Sequence, residues 1–463
     1  MSIRFRSILV GSAFALLIAT VTTLSVPRFK KTTFRGLAST TDISDRYWSY
    51  RERFLKKFLY VADVPGGSLP IDHIHQKNIK FGDTVSGLGT YLTVLGTELA
   101  VQRKAGVASD HTLLEIKFAL RAFERLSEQA NLHFAGKKEV NGFFFRDDAD
   151  ESYLNLRPGA FDSINSDYID FRLVNWSGNV TSQDQLVELF MGYRFLHQAL
   201  DRNIPVEKDL DDRIQSQLVS ILKYVYGQKK DWVIRIPRTK DKVLRGPNMG
   251  AFSKGFFKIA KSILPAEKMK GIKPAFLSKV AFPLFQIIFL PGNWFVKSMI
   301  MELGAAGDVW GKNTQVALTE FHQAYDFPIW PLANAVLTGK KLITDPYETD
   351  GRTILTQEDF KHLIDVLPPQ GPYMGDPNGW SSFHRFFVEK RQRTYPVKWK
   401  KGDYVIPDGT EFNGMDAMML MNLYLIYFGG PDVATYKPSP GYLTELHAQT
   451  GWPVPGPSPS RTQ

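Results

Sequence analysis

Four carboxylates and an arginine crowd the hexapeptide RDDADE: Arg146, Asp147, Asp148, Asp150 and Glu151. Hydrolysis of a glycosidic bond takes two carboxyls, one protonated as acid and one ionised as base or nucleophile. Asp147 and Asp148 are therefore candidate catalytic groups. The same segment also fits a solvated acidic turn or a weak calcium site. Two further stretches place acids where helices begin. In TSQDQ, Thr181 with Asp184, or Ser182 with Gln185, has the spacing of a reciprocal helix cap. Beyond capping, Asp184 is a catalytic candidate, because a first-turn carboxylate is held ionised by the helix dipole. In EFNGMDAMMLMNLY, Glu411, Asn413 and Asp416 precede a methionine-rich run that reads as core filler. Glu411 and Asp416 complete the catalytic candidates, and a first-turn charge with no further role is the other reading of Asp416.

Binding groups come from two other segments. GDPNGWSSFHRFF contributes Trp380, a ring for stacking on a sugar or an ordinary loop anchor, and beside it His384 and Arg385, which suit an acidic group such as a uronate. HQAYDFPIW contributes His322, Tyr325 and Trp330. His322 and Tyr325 are three apart, so a helix would present them on one face. There they could remove a proton beside a carboxylate, as elimination requires, or His322 could be a buried structural residue. His73 and His75 have a strand-like spacing for metal, but no third ligand can be assigned. Asn175 and Asn179 each open an Asn-X-Ser/Thr acceptor for glycosylation. Gly87 and Gly89 lie inside a helical pattern without the context of a phosphate loop, and no nucleophile elbow is present. No cofactor and no metal is called for.

The elements that must position these groups read as helices. DRYWSYRERFLKKFLYV, TVSGLGTYLTVLGTELAVQRKAG, DHTLLEIKFALRAFERLSEQA, TSQDQLVELFMGYRFLHQAL and EKDLDDRIQSQLVSILKYVYG carry apolar residues at helical spacing. Further helices are expected near 314–337, 356–367 and 413–428, and Thr356 with Asp359 fits a capping box. Strand patterns are few and short, and no strict repeat of solenoid length recurs. Helices in antiparallel-looking pairs with irregular connections predict an all-α chain, an α/α toroid or a related array of helix pairs.

FGDTVSGLGTYLTVLGTELAV, TSQDQLVELFMGYRFL, GWSSFHRFF and EFNGMDAMMLMNLYLIY resemble segments of bacterial α/α-toroid carbohydrate-processing proteins, glycoside hydrolases and polysaccharide lyases among them. The resemblance spans roughly residues 80–430 and lies in the style of helix pairs, polar helix starts and loop tryptophans. It implies a rim of helix ends and loops around a central cavity. No catalytic motif of such a family matches residue by residue, and a fold alone assigns no activity.

Charge is concentrated rather than spread. The net charge is +10, and residues 1–35 and 249–280 each carry six excess positive charges, which leaves −2 for the rest. A nearly neutral body does not offer the basic surface that a nucleic-acid backbone needs. There is no cysteine, so disulfides and thiolate chemistry are excluded. Ile8 to Val26 is a 19-residue uncharged run behind Arg4 and Arg6, long enough to span a bilayer. It is expected to be a signal anchor, with a cleaved signal peptide as the alternative. Phe252, Phe256, Ile259 and Ile263 form one apolar arc, opposed by Lys254, Lys258 and Lys261. That pattern fits a helix lying on anionic lipid, or an amphipathic helix packed on the protein's own core. The uncharged run Ala281 to Val296 follows.

The expectation is thus an anchor and basic flank at 1–35, one helical domain at 36–450 with a membrane-facing insertion at 249–296, and a Pro/Ser-rich tail at 451–463. The body would be exported, held at the cell envelope, and act on a glycan or lipid-linked glycan, by hydrolysis in preference to elimination. The alternative is a non-catalytic envelope protein that binds glycan or lipid or scaffolds membrane partners.

Overall fold

The computed structural model describes residues 42–82, 84–174, 179–227, 232–239, 249–274, 294–325, 329–342, 356–373, 380–383, 386–389, 398–399, 402–403 and 409–453. The described residues are mainly α-helical, with a few short strands. The helices are α1 (Ile43–Lys57), α2 (Thr84–Ala105), α3 (Asp110–Ala135), α4 (Ser152–Leu156), α5 (Asp167–Val174), α6 (Gln183–Ala199) and α7 (Pro205–Gly227). They continue with α8 (Met249–Ile263), α9 (Trp294–Gly307), α10 (Thr314–Tyr325), α11 (Ile329–Thr338), α12 (Gln357–Asp365), α13 (Met415–Phe428) and α14 (Pro440–Thr450). The expected capping box closes α12: Thr356 Oγ1 accepts from Asp359 N, and the Asp359 carboxylate accepts from Thr356 N at 2.7 Å.

Five of these helices make a closed cycle of contacts: α2 against α6, α6 against α9, α9 against α11, α11 against α13, and α13 back against α2. Side-chain bonds fix their direction. Gly89 of α2 abuts Glu188 and Leu189 of α6, and Gly96 abuts Phe195 and Leu196, so the two helices ascend together. Gly87 faces Met415 of α13, and Asn422 Nδ2 donates to Thr97 Oγ1 at 3.2 Å, so α13 runs the same way. Asn334 Nδ2 of α11 donates to Ala305 O of α9 at 2.8 Å, and Lys340 reaches Asp308 at 2.6 Å. Gln198 Nε2 of α6 donates to Val336 O of α11, and Leu342 N donates to the Tyr427 hydroxyl beyond the middle of α13. All five C-terminal ends therefore lie at one end of the molecule, and their N-terminal ends lie at the other. The helices between them run back: Tyr193 of α6 donates to Gln217 of α7, Gln315 of α10 to Asn334 of α11, and Gln357 of α12 to Tyr424 of α13.

A helix enclosed on all sides needs apolar or satisfied residues around its whole circumference. Every residue of α13 from Met415 to Leu425 is buried, and its methionines pack in the core as expected. Over the N-terminal end of the ring lies a four-stranded sheet of β1 (His73–His75), β2 (Asn78–Lys80), β3 (Ser163–Asn165) and β8 (Glu411–Phe412), in the order β3-β2-β1-β8. β1 pairs antiparallel with β2 and with β8, and β2 pairs parallel with β3. Four further short strands form two hairpins, β4 (Trp380–Phe383) with β5 (Phe386–Glu389) and β6 (Lys398–Trp399) with β7 (Gly402–Asp403).

The lipid-facing expectation for α8 is corrected. Phe252, Phe256 and Ile263 are buried, and α8 packs on α6 and α9. The Phe256 ring stands edge-on to Phe190 at 4.7 Å. Burial of the apolar arc against α6 and α9 removes it from water as lipid would, so the same pattern is satisfied inside the protein. Lys258 and Lys261 point to solvent, and Lys254 is half-buried, its pKa lowered by burial and by the nearby Lys258 charge. Among the described residues no helix is long and apolar enough to cross a membrane. The apolar run at 8–26 and most of 275–296 lie outside the described residues.

Candidate functional site

The N-terminal end of the ring collects most of the acids singled out by the sequence. Asn179 and Thr181, just before α6, bind the segment at 143–148: Thr181 N donates to Phe144 O at 2.9 Å, and Asn179 Oδ1 accepts from Arg146 N at 2.9 Å. This seats the RDDADE segment at the start of α6. Glu411 lies in β8, directly ahead of α13, whose first turn holds Asp416.

Local bonding separates these acids by role. Asp148 is buried against Arg125, whose Nε donates to Oδ2 at 2.5 Å and Nη2 to Oδ1 at 2.9 Å. A bidentate pair of this kind ties a loop to a helix and leaves little acceptor capacity for a substrate. Asp147 is fully buried, and burial, then the charges of Asp167 and Asp148, push its pKa well up. That direction suits a general acid, but its oxygens accept from Ala149 N and Asp167 N inside the loop. Arg146 crosses to Asp167 at 2.8 Å. Asp147 and Asp148 are thus sealed into an anchor and do not form an open catalytic pair, while Asp150 is partly exposed and Glu151 exposed at the end of the segment. Glu411 is half-buried and bridges Arg53 at 3.0 Å and Lys57 at 2.8 Å. Burial raises its pKa, but the bond from Lys57 and the charge of Arg53 outweigh it, and the net shift is downward.

Asp184 and Asp416 remain. Asp184 is half-exposed in the first turn of α6. Asp416 is 5% exposed in the first turn of α13, where Oδ1 accepts from Ala417 N at 2.9 Å. α6 and α13 flank α2 with parallel axes, so both carboxylates stand at positive helix ends on one rim. An ionised acid in such a place can accept a proton or orient a hydroxyl.

Trp330, in the first turn of α11, is buried in the core, so its ring offers no face to a sugar; its indole Nε1 has no acceptor among the described residues. His322 and Tyr325 fall within α10 as their spacing required, and Trp380 falls in β4; the side chains of all three lie outside what is described. His384 and Arg385 lie outside the described residues, as does Asn175. Asn179 is fully buried and its amide is engaged on both sides, which removes it as a glycosylation acceptor. His73 pairs with Asp72 at 3.0 Å and His75 with Thr410 at 3.1 Å. Among the described residues no three His, Asp or Glu side chains are grouped to hold a metal ion.

Two sets of residues were missed. Arg51, Glu98 and Glu115 form a fully buried ionic cluster: Arg51 Nε donates to Glu98 at 2.7 Å and Nη2 to Glu115 at 2.6 Å. Tyr47 and Thr112 also donate to Glu98, and Tyr91 and Tyr442 donate to Glu115. Burial raises both carboxyls, but Arg51 and the His111 ring outweigh it at Glu98, which ends low, while Glu115 ends high. With one arginine for two acids, a proton retained on Glu115 keeps the cluster neutral. The cluster has no access to solvent and joins α1, α2, α3 and α14. The signal was present in the sequence, since Glu98 is the only charge between Thr84 and Val101 of α2. The second set is Ser182 and Gln183, both at least nine-tenths buried, whose Oγ and Oε1 have no hydrogen-bond partner among the described residues. Capping logic had assigned Ser182 a bond with its own helix, but no such side-chain bond forms. No protein-family model, no curated protein and no solved structure matches this chain, so its chemistry is read from the rim's own groups.

Proposed function

We propose that the chain is an exported, membrane-anchored protein of α/α-toroid type that cleaves a glycan at the N-terminal rim of its helix ring. The observation that carries this reading is the pair of first-turn carboxylates, Asp184 and Asp416, borne by parallel helices on either side of α2. Two carboxyls in unlike surroundings, one half-exposed and one buried, are the kind of pair that acid–base hydrolysis uses. Hydrolysis is favoured over elimination because the acids on this rim outnumber groups able to take a proton from carbon. The apolar run at 8–26 supplies the anchor.

A second reading, an envelope protein that binds glycan or lipid or scaffolds membrane partners without catalysis, draws on the fixed state of the other acids. Asp147, Asp148 and Glu411 are all committed to holding loops and strands together. Asp184→Asn and Asp416→Asn separate the two readings. With folding checked by circular dichroism, each is expected to lower reducing-end release from a panel of polysaccharides by about 10²-fold or more. Full turnover in both variants removes these residues as catalysts. Absence of turnover by the unaltered chain across the panel favours the binding role.

A further inference from the structure

The start of α6 carries an unusual expense. Ser182 is the N-cap residue, in extended conformation with φ −127° and ψ 162°, yet its side chain makes no capping bond. It is 3% exposed and Gln183 is 5% exposed. A buried hydroxyl and a buried amide oxygen that make no hydrogen bond within the protein lower its stability. Such groups persist in native proteins where a ligand or ordered solvent uses them. The residues just before them are bonded: Thr181 Oγ1 exchanges bonds with Phe144, and Asn179 with Arg146 and Asp147. The two idle groups therefore sit at the start of α6, directly after a preceding segment that is itself held in place.

The chemistry of that place selects its ligand. A bare helix N-terminus attracts anions. Here Asp184 already stands in the first turn, so a second negative charge would meet repulsion. A hydroxyl both donates and accepts, and so does the carboxamide of Gln183 taken as a whole. Groups of this kind match a neutral ligand rich in hydroxyls. We propose that Ser182 and Gln183 form a subsite for the hydroxyls of an uncharged sugar unit, next to Asp184. The inference rests on the rim being the glycan site and deepens it by naming a neutral sugar in place of a uronate. It runs against the acidic-sugar role expected for His384 and Arg385.

The test uses the full chain in detergent with Ser182→Ala and Gln183→Met. Removal of idle buried polar groups is expected to leave the melting temperature of the ligand-free protein unchanged or raised; a drop in both variants shows a structural role and overturns the proposal. Calorimetry then compares neutral pentasaccharides of glucose, mannose, xylose and N-acetylglucosamine with oligogalacturonate and oligoglucuronate. The unaltered chain should bind at least one neutral oligomer, and each variant should weaken that binding about tenfold or more. Binding of uronate oligomers only, or of none of the set, overturns it. The outcome is separable from the catalytic reading. Turnover lost in the Asp184 and Asp416 variants with binding unaffected by the Ser182 and Gln183 changes sinks the subsite alone. Binding lost in the latter pair with turnover intact in the former sinks the catalytic assignment alone.

Discussion

His111 shows how a single buried group links this fold to pH. It lies beside Gln102 and the aromatic rings of Trp48 and Tyr442. Burial pulls its pKa from 6.5 to about 4, against the opposing pull of Glu98. Between those values the unfolded chain binds the extra proton and the folded chain does not, so stability rises with pH and is lost as pH falls from about 6.5 towards 4. The loss attributable to this residue is roughly 3 kcal/mol. Urea denaturation at pH 7 and pH 5 should show the decline, and His111→Gln should flatten it; an unchanged slope in the variant assigns the effect elsewhere. At this scale the sequence was only partly legible. The acids were visible as acids, but the partner that decides each one's role is distant in the chain. Asp148 is neutralised by Arg125 from α3, and Glu411 by Arg53 and Lys57 from α1, and no spacing rule connects those positions.

At the scale of elements, helix periodicity carried most of the reading, because a 3.6-residue repeat is a local property. The segments 43–57, 84–105, 110–135, 183–199 and 205–227 form helices where their apolar spacing placed them. The side to which an apolar face turns is not local, and the amphipathic α8 shows it: its pattern fits lipid and protein equally, and α6 and α9 decide. Two glycines in α2 separate propensity from packing. A Cβ on Gly87 would meet Pro70 and Met415 at ordinary distances of 3.7 and 3.8 Å. Gly87→Ala should therefore be neutral or stabilising by up to about 1 kcal/mol. A Cβ on Gly89 would stand 2.3 Å from the Glu188 carbonyl carbon and the Leu189 nitrogen, backbone atoms that cannot turn aside. Gly89→Ala should cost about 3 kcal/mol and separate α2 from α6. Thermal melts of both variants check the contrast, and equal effects would refute the close-packed seam.

At the scale of the molecule, an all-α fold was readable from composition and pattern, whereas the cycle of parallel helices was not, since it depends on contacts such as Leu342 with Tyr427 and Lys104 with Ile426. The membrane reading now rests on residues 8–26 alone, since the apolar face of α8 is buried and Lys258 and Lys261 are simply solvated. Deletion of 8–26 should release the chain from membranes upon fractionation. Any residual binding through lysines should vanish at about 1 M salt, where the Debye length is near 3 Å. Retention at high salt would call for a further apolar contact.

The direction of α1 adds one more consequence. Its N-cap, Asp42, is held by Thr435 beyond the far end of α13, while Arg53 and Lys57 at its other end clasp Glu411 beside the rim. The polypeptide thus enters the folded body at the pole opposite Asp184 and Asp416. A tether attached ahead of Asp42 would therefore join the body at the pole farthest from the carboxylate-bearing mouth.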